Sequence, residues 1–150
     1  MYNESIFDEE FYESINNYIT NLDISIAELE KVAVTVITLG YSQFFFGAEV
    51  DILDAKGINY QKLLADDITY HGQILVFWGY VLTFIVASKR VYEKSLRNNN
   101  TEDNFEITAF EKLRDSYYFS IISNFIRLEA LGEIAYNANT TEEEFNPVNP

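Results

Sequence analysis

The chain of 150 residues has no cysteine, one histidine, two prolines and six glycines. Without cysteine, disulfides, thiolate nucleophiles and cysteine-based zinc sites are excluded, and the cellular compartment is left open. A Ser-His-Asp triad would have to use His71, and there is no Gly-rich loop of the kind that binds phosphate. Few prolines and glycines favour long helices over a turn-rich β protein. The sequence therefore predicts a helical protein without a familiar catalytic set.

Positive charge is also scarce. The formal net charge is −14, and the first 30 residues contain eight acids and no base. Such a surface repels phosphates, so we expect no binding to nucleic acid. The acidity would keep the protein in solution, or it would let an acidic inhibitor mimic nucleic acid against a basic partner. Because the N-terminus is acidic where a secretory signal would be basic, we expect a cytoplasmic protein.

Apolar residues recur at spacings of three and four through most of the chain, which predicts helices. We expect an all-α fold, an antiparallel helical bundle in a single domain over 1–136. Its predicted elements are a short N-terminal helix at about 7–21 and three long helices at about 24–55, 59–97 and 103–136. Residues 137–150 are expected to form an acidic tail that is extended or disordered.

Residues that commonly cap or end helices are expected to mark the helix boundaries. Asp23 or Ser25 is the candidate N-cap for the first long helix, and Asn59 is the expected N-cap of the second. Gly57 is expected to terminate the first long helix, since glycine adopts the left-handed conformation that ends many helices.

Two segments of 17 residues carry no charge, Val32–Ala48 and Gly72–Ser88. A helix that is apolar all round lies in lipid or in the centre of a bundle, and about 17 to 25 residues are needed to cross a bilayer. The flanking charges follow the positive-inside pattern of a helical hairpin. However, Gln43 and Gln73 lie within the segments, and Trp78 would lie near the middle of the bilayer. We therefore favour a soluble bundle slightly over a membrane protein with a two-helix hairpin (about 32–48 and 72–88).

The connection between these two segments is acidic, and its carboxylates are the one candidate metal site. Clustered carboxylates bind hard cations such as Mg²⁺ or Ca²⁺. The candidate residues are Glu49, Asp51, Asp54, Asp66, Asp67 and His71. A solvated acidic loop explains the same pattern, and we favour that interpretation, so no metal or cofactor is expected.

Two aromatic runs, Phe44-Phe45-Phe46 and Tyr117-Tyr118-Phe119, point around their helices and cannot all face one core. They are the predicted interaction residues. We therefore expect a non-enzymatic protein that acts through helix packing, as an assembly subunit or a protein-binding module. Its partner would be another protein or a second copy, and the membrane hairpin and the acidic inhibitor remain alternatives.

Overall fold

The structure, a computed structural model, describes residues 4–145, with their side chains from 10 to 140. All regular elements in this range are α-helices, so the all-α prediction is confirmed. They are α1 (Glu4–Ala55), α2 (Ala65–Asn100) and α3 (Ile107–Phe145). The three helices form a bundle in which α2 packs against both α1 and α3.

The prediction of a separate N-terminal helix at 7–21 is wrong, because α1 continues without a break through that region. No glycine or proline interrupts the chain there, and Ile19 and Ile26 are both buried against α2 seven residues apart. Asp23, the expected N-cap, lies in the middle of α1 and forms an ion pair with Arg90. Aspartate is a common N-cap, but here the Asp23 carboxylate pairs with Arg90 of α2 instead.

The end of α1 follows the prediction. Gly57 has a φ of 68°, its N–H donates to the Asp54 carbonyl at 2.9 Å, and the N–H of Ile58 donates to the Leu53 carbonyl at 3.0 Å. These two bonds satisfy carbonyls that a helix end leaves free, in the pattern of a Schellman motif. The chain therefore leaves α1 sharply and returns alongside it.

The later boundaries differ from the prediction by several residues. The Asn59 side chain bonds the N–H and carbonyl of Leu63 and so stabilises the loop, while α2 begins only at Ala65. The predicted domain boundary at 136 falls inside α3, which runs to Phe145. Residues 146–150 of the predicted tail lie outside the described residues.

The seam between α1 and α2 repeats every seven residues. The buried positions at these seven-residue intervals are Ile19, Ile26, Ala33, Gly40 and Gly47 on α1 and Ala65, Gly72, Gly79, Val86 and Glu93 on α2, and Val50 and Val76 are also buried. A strict seven-residue repeat keeps one stripe of each helix facing its partner in a left-handed supercoil. Most of these residues are small, so the two backbones approach closely.

The closest approach lies at Gly40 and Gly72. A Cβ atom added to either glycine would lie 2.7 Å from the carbonyl oxygen of the other. The same contacts define the antiparallel register, in which Gly47 lies beside Ala65 and Gly79 lies beside Ala33. A side chain larger than hydrogen at Gly40 or Gly72 would therefore push the helices apart.

A second stripe on α2 faces α3, one residue along from the first. It includes Gln73, Phe77 and Phe84, which contact Asn124, Phe125 and Tyr118 respectively. One residue is about 100° around a helix, so α1 and α3 lie on adjacent faces of α2. Within residues 4–145 no Cα atom of α1 lies within 8 Å of one in α3. An open groove therefore separates α1 from α3, with α2 as its floor.

We predict that Gly72→Ala destabilises the protein, although alanine is the better helix former. At an exposed helical site the change would stabilise by about 1 kcal/mol. Here the new methyl would meet the Gly40 carbonyl at 2.7 Å, and overpacking of this kind costs about 1–3 kcal/mol. Urea unfolding measures the difference. Gly132→Ala is the matched control, because the atoms nearest to an added Cβ there belong to the Tyr70 side chain, the first at 3.2 Å, and not to a neighbouring backbone. Equal gains in stability for both variants would contradict the close approach.

Candidate interaction surfaces and buried polar clusters

Many large apolar side chains of this protein are exposed. Within residues 10–140, no leucine or aromatic residue belongs to the buried core. Instead Phe45 is 70% exposed, Phe119 67%, Ile126 61% and Trp78 57%. Large apolar side chains are therefore exposed on all three helices.

The six predicted interaction residues lie on α1 and α3, whose described backbones stay more than 8 Å apart. On α1, Phe45 and Phe46 are exposed, while Phe44 is half-buried against the Tyr41 ring at 5.7 Å. On α3, Tyr118 and Phe119 are exposed, while Tyr117 is half-buried. Each run therefore points around its helix as expected, and the two runs do not form one site.

A continuous apolar surface spans α2 and α3 on the side away from α1, and we call it the aromatic face. It consists of Ile74, Phe77, Trp78, Val81 and Phe84 of α2 with Tyr118, Ile122, Phe125 and Ile126 of α3. Ring centroids of Phe77 lie 5.5 Å from Trp78 and 6.1 Å from Phe125, and Phe84 lies 6.2 Å from Tyr118. These contacts tie the two helices together, yet Trp78, Tyr118, Ile122, Phe125 and Ile126 remain exposed.

The groove between α1 and α3 is of a different character. Its floor includes the small side chains of Thr83 and Ala87. One tyrosine from each helix, Tyr41, Tyr80 and Tyr117, gathers further along it. Burial, and then a side-chain hydrogen bond with Tyr41, raise the pKa of Tyr80 above its usual value. Together with Glu30, Arg90 and Leu113, which also line it, these residues make the groove more polar than the aromatic face.

A buried amide pair joins α2 to α3. The Gln73 side chain is fully buried, and its Nε2 donates to both the carbonyl and the Oδ1 of Asn124, at 3.0 and 3.1 Å. Gln73 Oε1 has no hydrogen-bond partner among the described residues. A single polar pair in an apolar seam fixes register at some cost in stability. The sequence showed Gln73 as an isolated amide in an uncharged segment, but nothing identified Asn124 as its partner.

An ionic cluster joins the other end of α2 to α1. Glu93 is fully buried and pairs with Arg97 and, at 3.1 Å, with Lys94. Asp23 of α1 pairs with Arg90 and lies 3.7 Å from Arg97. The hydrogen bond with Glu93 raises the pKa of Arg97. The cluster therefore balances a buried carboxylate with cations that also bind α1.

The same cluster uses most of the basic residues on α2. Of Lys89, Arg90, Lys94 and Arg97, the last three pair with acids of the chain, and Lys94 also lies 4.3 Å above the Phe105 ring. Lys89 is exposed. These basic residues are thus largely an internal ion-pair network.

The acidic connection does not bring its six candidate residues together as ligands. Asp54 accepts a hydrogen bond from Asn59, Asp67 accepts one from Asn139 at 2.8 Å, and His71 Nδ1 donates to the Asp67 carbonyl at 2.7 Å. In the part of the chain that the structure describes, no group of three or more His, Asp or Glu residues is placed to hold a metal ion. The exposed apolar surfaces are therefore the remaining candidates for a functional site.

Comparisons with protein-family models, with curated proteins and with solved structures find no match. Among the described helices, α2 is long and apolar enough to cross a membrane, with a mean hydropathy of 1.6 over its most apolar 18 residues. Of those residues 28% are buried inside the protein. Most of this apolar segment of α2 is therefore not buried within the protein.

We predict that Glu93→Gln lowers the free energy of unfolding by about 3 kcal/mol. Removing one member of a buried ion pair typically costs 3–5 kcal/mol, and the amide recovers part of the hydrogen bonding. Glu30→Gln is the control, because Glu30 is 53% exposed and lies 3.5 Å from Arg90, where the expected loss is within about 1 kcal/mol. Chemical denaturation measures both, and equal losses would contradict a special role for the buried carboxylate.

Proposed function

We propose that this chain is a non-enzymatic helical subunit that acts by packing its exposed apolar surfaces against another protein chain. One observation supports this above the others: aromatic side chains on all three helices are exposed, Phe45 by 70%, Trp78 by 57% and Phe119 by 67%. Aromatic residues are enriched at the core of protein interfaces. A protein partner would cover these side chains.

The energetics favour association over exposure. A standard interface buries about 800 Å² on each partner, a little over half of it apolar, and each Å² of apolar surface removed from water contributes about 25 cal/mol. Lost translational and rotational freedom costs about 4–15 kcal/mol, with further costs for ordering side chains. Contiguous exposed apolar patches mark interaction sites in soluble proteins. In water the surface therefore favours a partner.

The buried polar groups support a structural role. Gln73 is bonded across the seam between α2 and α3, and Glu93 is neutralised by Arg97 and Lys94. Both groups face packed helices, and each fixes how two helices align. These groups therefore fix the alignment of the helices and support a structural role over a catalytic one.

A membrane protein with a hairpin of α1 and α2 is the second candidate. The hydropathy of α2 favours it, as does a seam built from glycine and alanine, since helices in lipid approach through small residues.

The register of the hairpin counts against that candidate. Because Gly40 lies beside Gly72 and Gly47 beside Ala65, the segment Val32–Ala48 lies level with about 64–80. It is therefore displaced by about eight residues, or about 12 Å, from Gly72–Ser88. The two uncharged bands overlap over about 13 Å, whereas a hydrocarbon core is about 30 Å thick. The register thus favours a protein partner.

Fractionation followed by light scattering tests the proposal. We expect the protein in the supernatant of a high-speed spin without detergent, with a mass in solution that is a multiple of 17.4 kDa or the mass of a stable hetero-complex. A detergent-free, monodisperse monomer that captures no partner would contradict the proposal. Recovery only in membranes that resist carbonate extraction would favour the membrane candidate.

A further inference from the structure

We propose that α3 is a hinged arm, which opens from α2 at its C-terminal end while the hairpin of α1 and α2 stays folded. The pivot is the connection at 101–106, and the amide pair of Gln73 and Asn124 is the clasp that releases and re-forms. Opening uncovers the stripe of α2 that carries Phe77 and Phe84. The inference goes beyond the proposed function, because it concerns a motion within one chain.

The arm is buried far less than the hairpin to which it is attached. Within residues 107–140, the only buried side chains of α3 are those of Asn124 and Ala135. Over residues 10–55, the buried residues of α1 are Ile19, Ile26, Ala33, Gly40, Gly47 and Val50. Segments with few buried contacts open at a lower free energy than the whole protein unfolds. Opening therefore begins at α3 and not at α1.

The clasp is polar, and its hydrogen bonding is incomplete. Gln73 is fully buried and bonds Asn124, but its Oε1 has no hydrogen-bond partner among the described residues. A buried polar atom without a partner costs free energy, whereas water satisfies it when the seam opens. The pair therefore favours the open state, compared with an apolar pair of the same shape. Because the two amides bond only when they are level with each other, the arm closes again in one register.

The rings beside the clasp hold the arm without being buried by it. Ring centroids of Phe77 and Phe125 lie 6.1 Å apart, and those of Phe84 and Tyr118 lie 6.2 Å apart. Phe125 nevertheless stays 49% exposed and Tyr118 52%. Because the hydrophobic contribution scales with the apolar area removed from water, half-exposed rings stabilise the closed arm less than buried rings would.

The two ends of α3 are held differently. Just before its first turn, the Asn98 side chain exchanges two hydrogen bonds with the backbone of Phe105, both of 2.8 Å, and Lys94 lies 4.3 Å above the Phe105 ring. Near the other end, a side-chain hydrogen bond of 2.8 Å joins Asn139 to Asp67. Asn139 is exposed, so water competes for this bond. The arm therefore pivots at the connection and opens at its C-terminal end.

Thiol labelling of the full-length protein tests the arm, because the natural chain has no cysteine. Ala135→Cys places a thiol on the buried side of α3, where Ala135 is 4% exposed. Val50→Cys is the matched control, since Val50 is 5% exposed on α1 near the same end of the bundle. We expect a maleimide to label the Ala135→Cys protein about tenfold or more faster than the Val50→Cys protein. Equal rates would mean that only global unfolding reaches either thiol, and would overturn the inference.

The clasp is tested in the Ala135→Cys protein by changing the amide pair. Gln73→Met with Asn124→Leu replaces both amides by apolar side chains of similar size, and we expect labelling to slow about tenfold or more. Thr83→Val is the matched control, because the buried Thr83 hydroxyl donates to the Gly79 carbonyl of its own helix at 2.6 Å. There we expect a change within about twofold. Labelling that is unchanged or faster in the folded double variant would overturn the clasp.

Asn124→Leu alone tests the clasp in the opposite direction. It removes one of the two acceptors of Gln73 Nε2 and leaves the buried amide with a single hydrogen bond. We expect labelling of the Ala135→Cys thiol to become about threefold or more faster, while circular dichroism shows that the helices remain. This variant decides the question if the double variant does not fold. Labelling that does not become faster would overturn the clasp, and an equal rise for the Val50→Cys thiol would overturn the arm.

Discussion

The contact between the backbones of α1 and α2 at Gly40 and Gly72 determines most of this structure. Two helices can approach this closely only where both lack side chains, and the seven-residue repeat extends the close seam along Ala33, Gly47 and Ala65. A seam filled by small residues has no room for the leucines and aromatic residues of the same helices. Those side chains lie outside as a direct result. The exposed apolar surface and the tight helix pair are therefore two consequences of one mode of packing.

The two seams of α2 are each fixed by one polar feature. At the seam with α3, Gln73 and Asn124 are bonded to each other in apolar surroundings, and a shift by one turn would leave both amides unpaired. At the seam with α1, Glu93 depends on Arg97 and Lys94, and the neighbouring Arg90 reaches Asp23. Buried polar groups cost stability compared with well-packed apolar ones, but a wrong register costs more. Alanine and glycine alone would allow the helices to slide, because small side chains offer little resistance to translation.

The sequence predicted the helical class, the end of α1 at Gly57 and the two uncharged segments. Helical spacing and the glycine stop are local features, and local physics determines them. The continuity of α1 through Asp23 was missed because a good capping residue was also a good ion-pair partner, and only the position of Arg90 decides between them. The start of α2 was missed for a similar reason: Asn59 bonds Leu63 and its own loop. The seven-residue spacing of Ile19, Ile26 and Ala33 was present in the sequence and would have indicated one long helix.

The surfaces were harder to predict than the helices. The aromatic runs correctly indicated side chains that no single core could bury. The sequence alone could not show that Phe45 and Tyr118 lie on two helices that do not pack against each other, because that depends on which stripes of α2 face its neighbours. Likewise, the two uncharged segments looked like a matched hairpin, yet the glycine contacts displace one from the other. Register is a property of pairs of residues, and it becomes visible only once both partners are known.

The groove between α1 and α3 has a consequence for how the protein comes apart. Because the described backbones of α1 and α3 stay more than 8 Å apart and each helix packs on its own stripe of α2, detaching α3 leaves the seam between α1 and α2 whole, and the converse also holds. The molecule is then a short chain of nearest-neighbour contacts, like a repeat protein, with a stability that adds up seam by seam. Opening spreads from the edges, and the backbone amides in the middle of α2 exchange with solvent last. A partner that covers α2 and α3 together would join these separate steps into one cooperative transition.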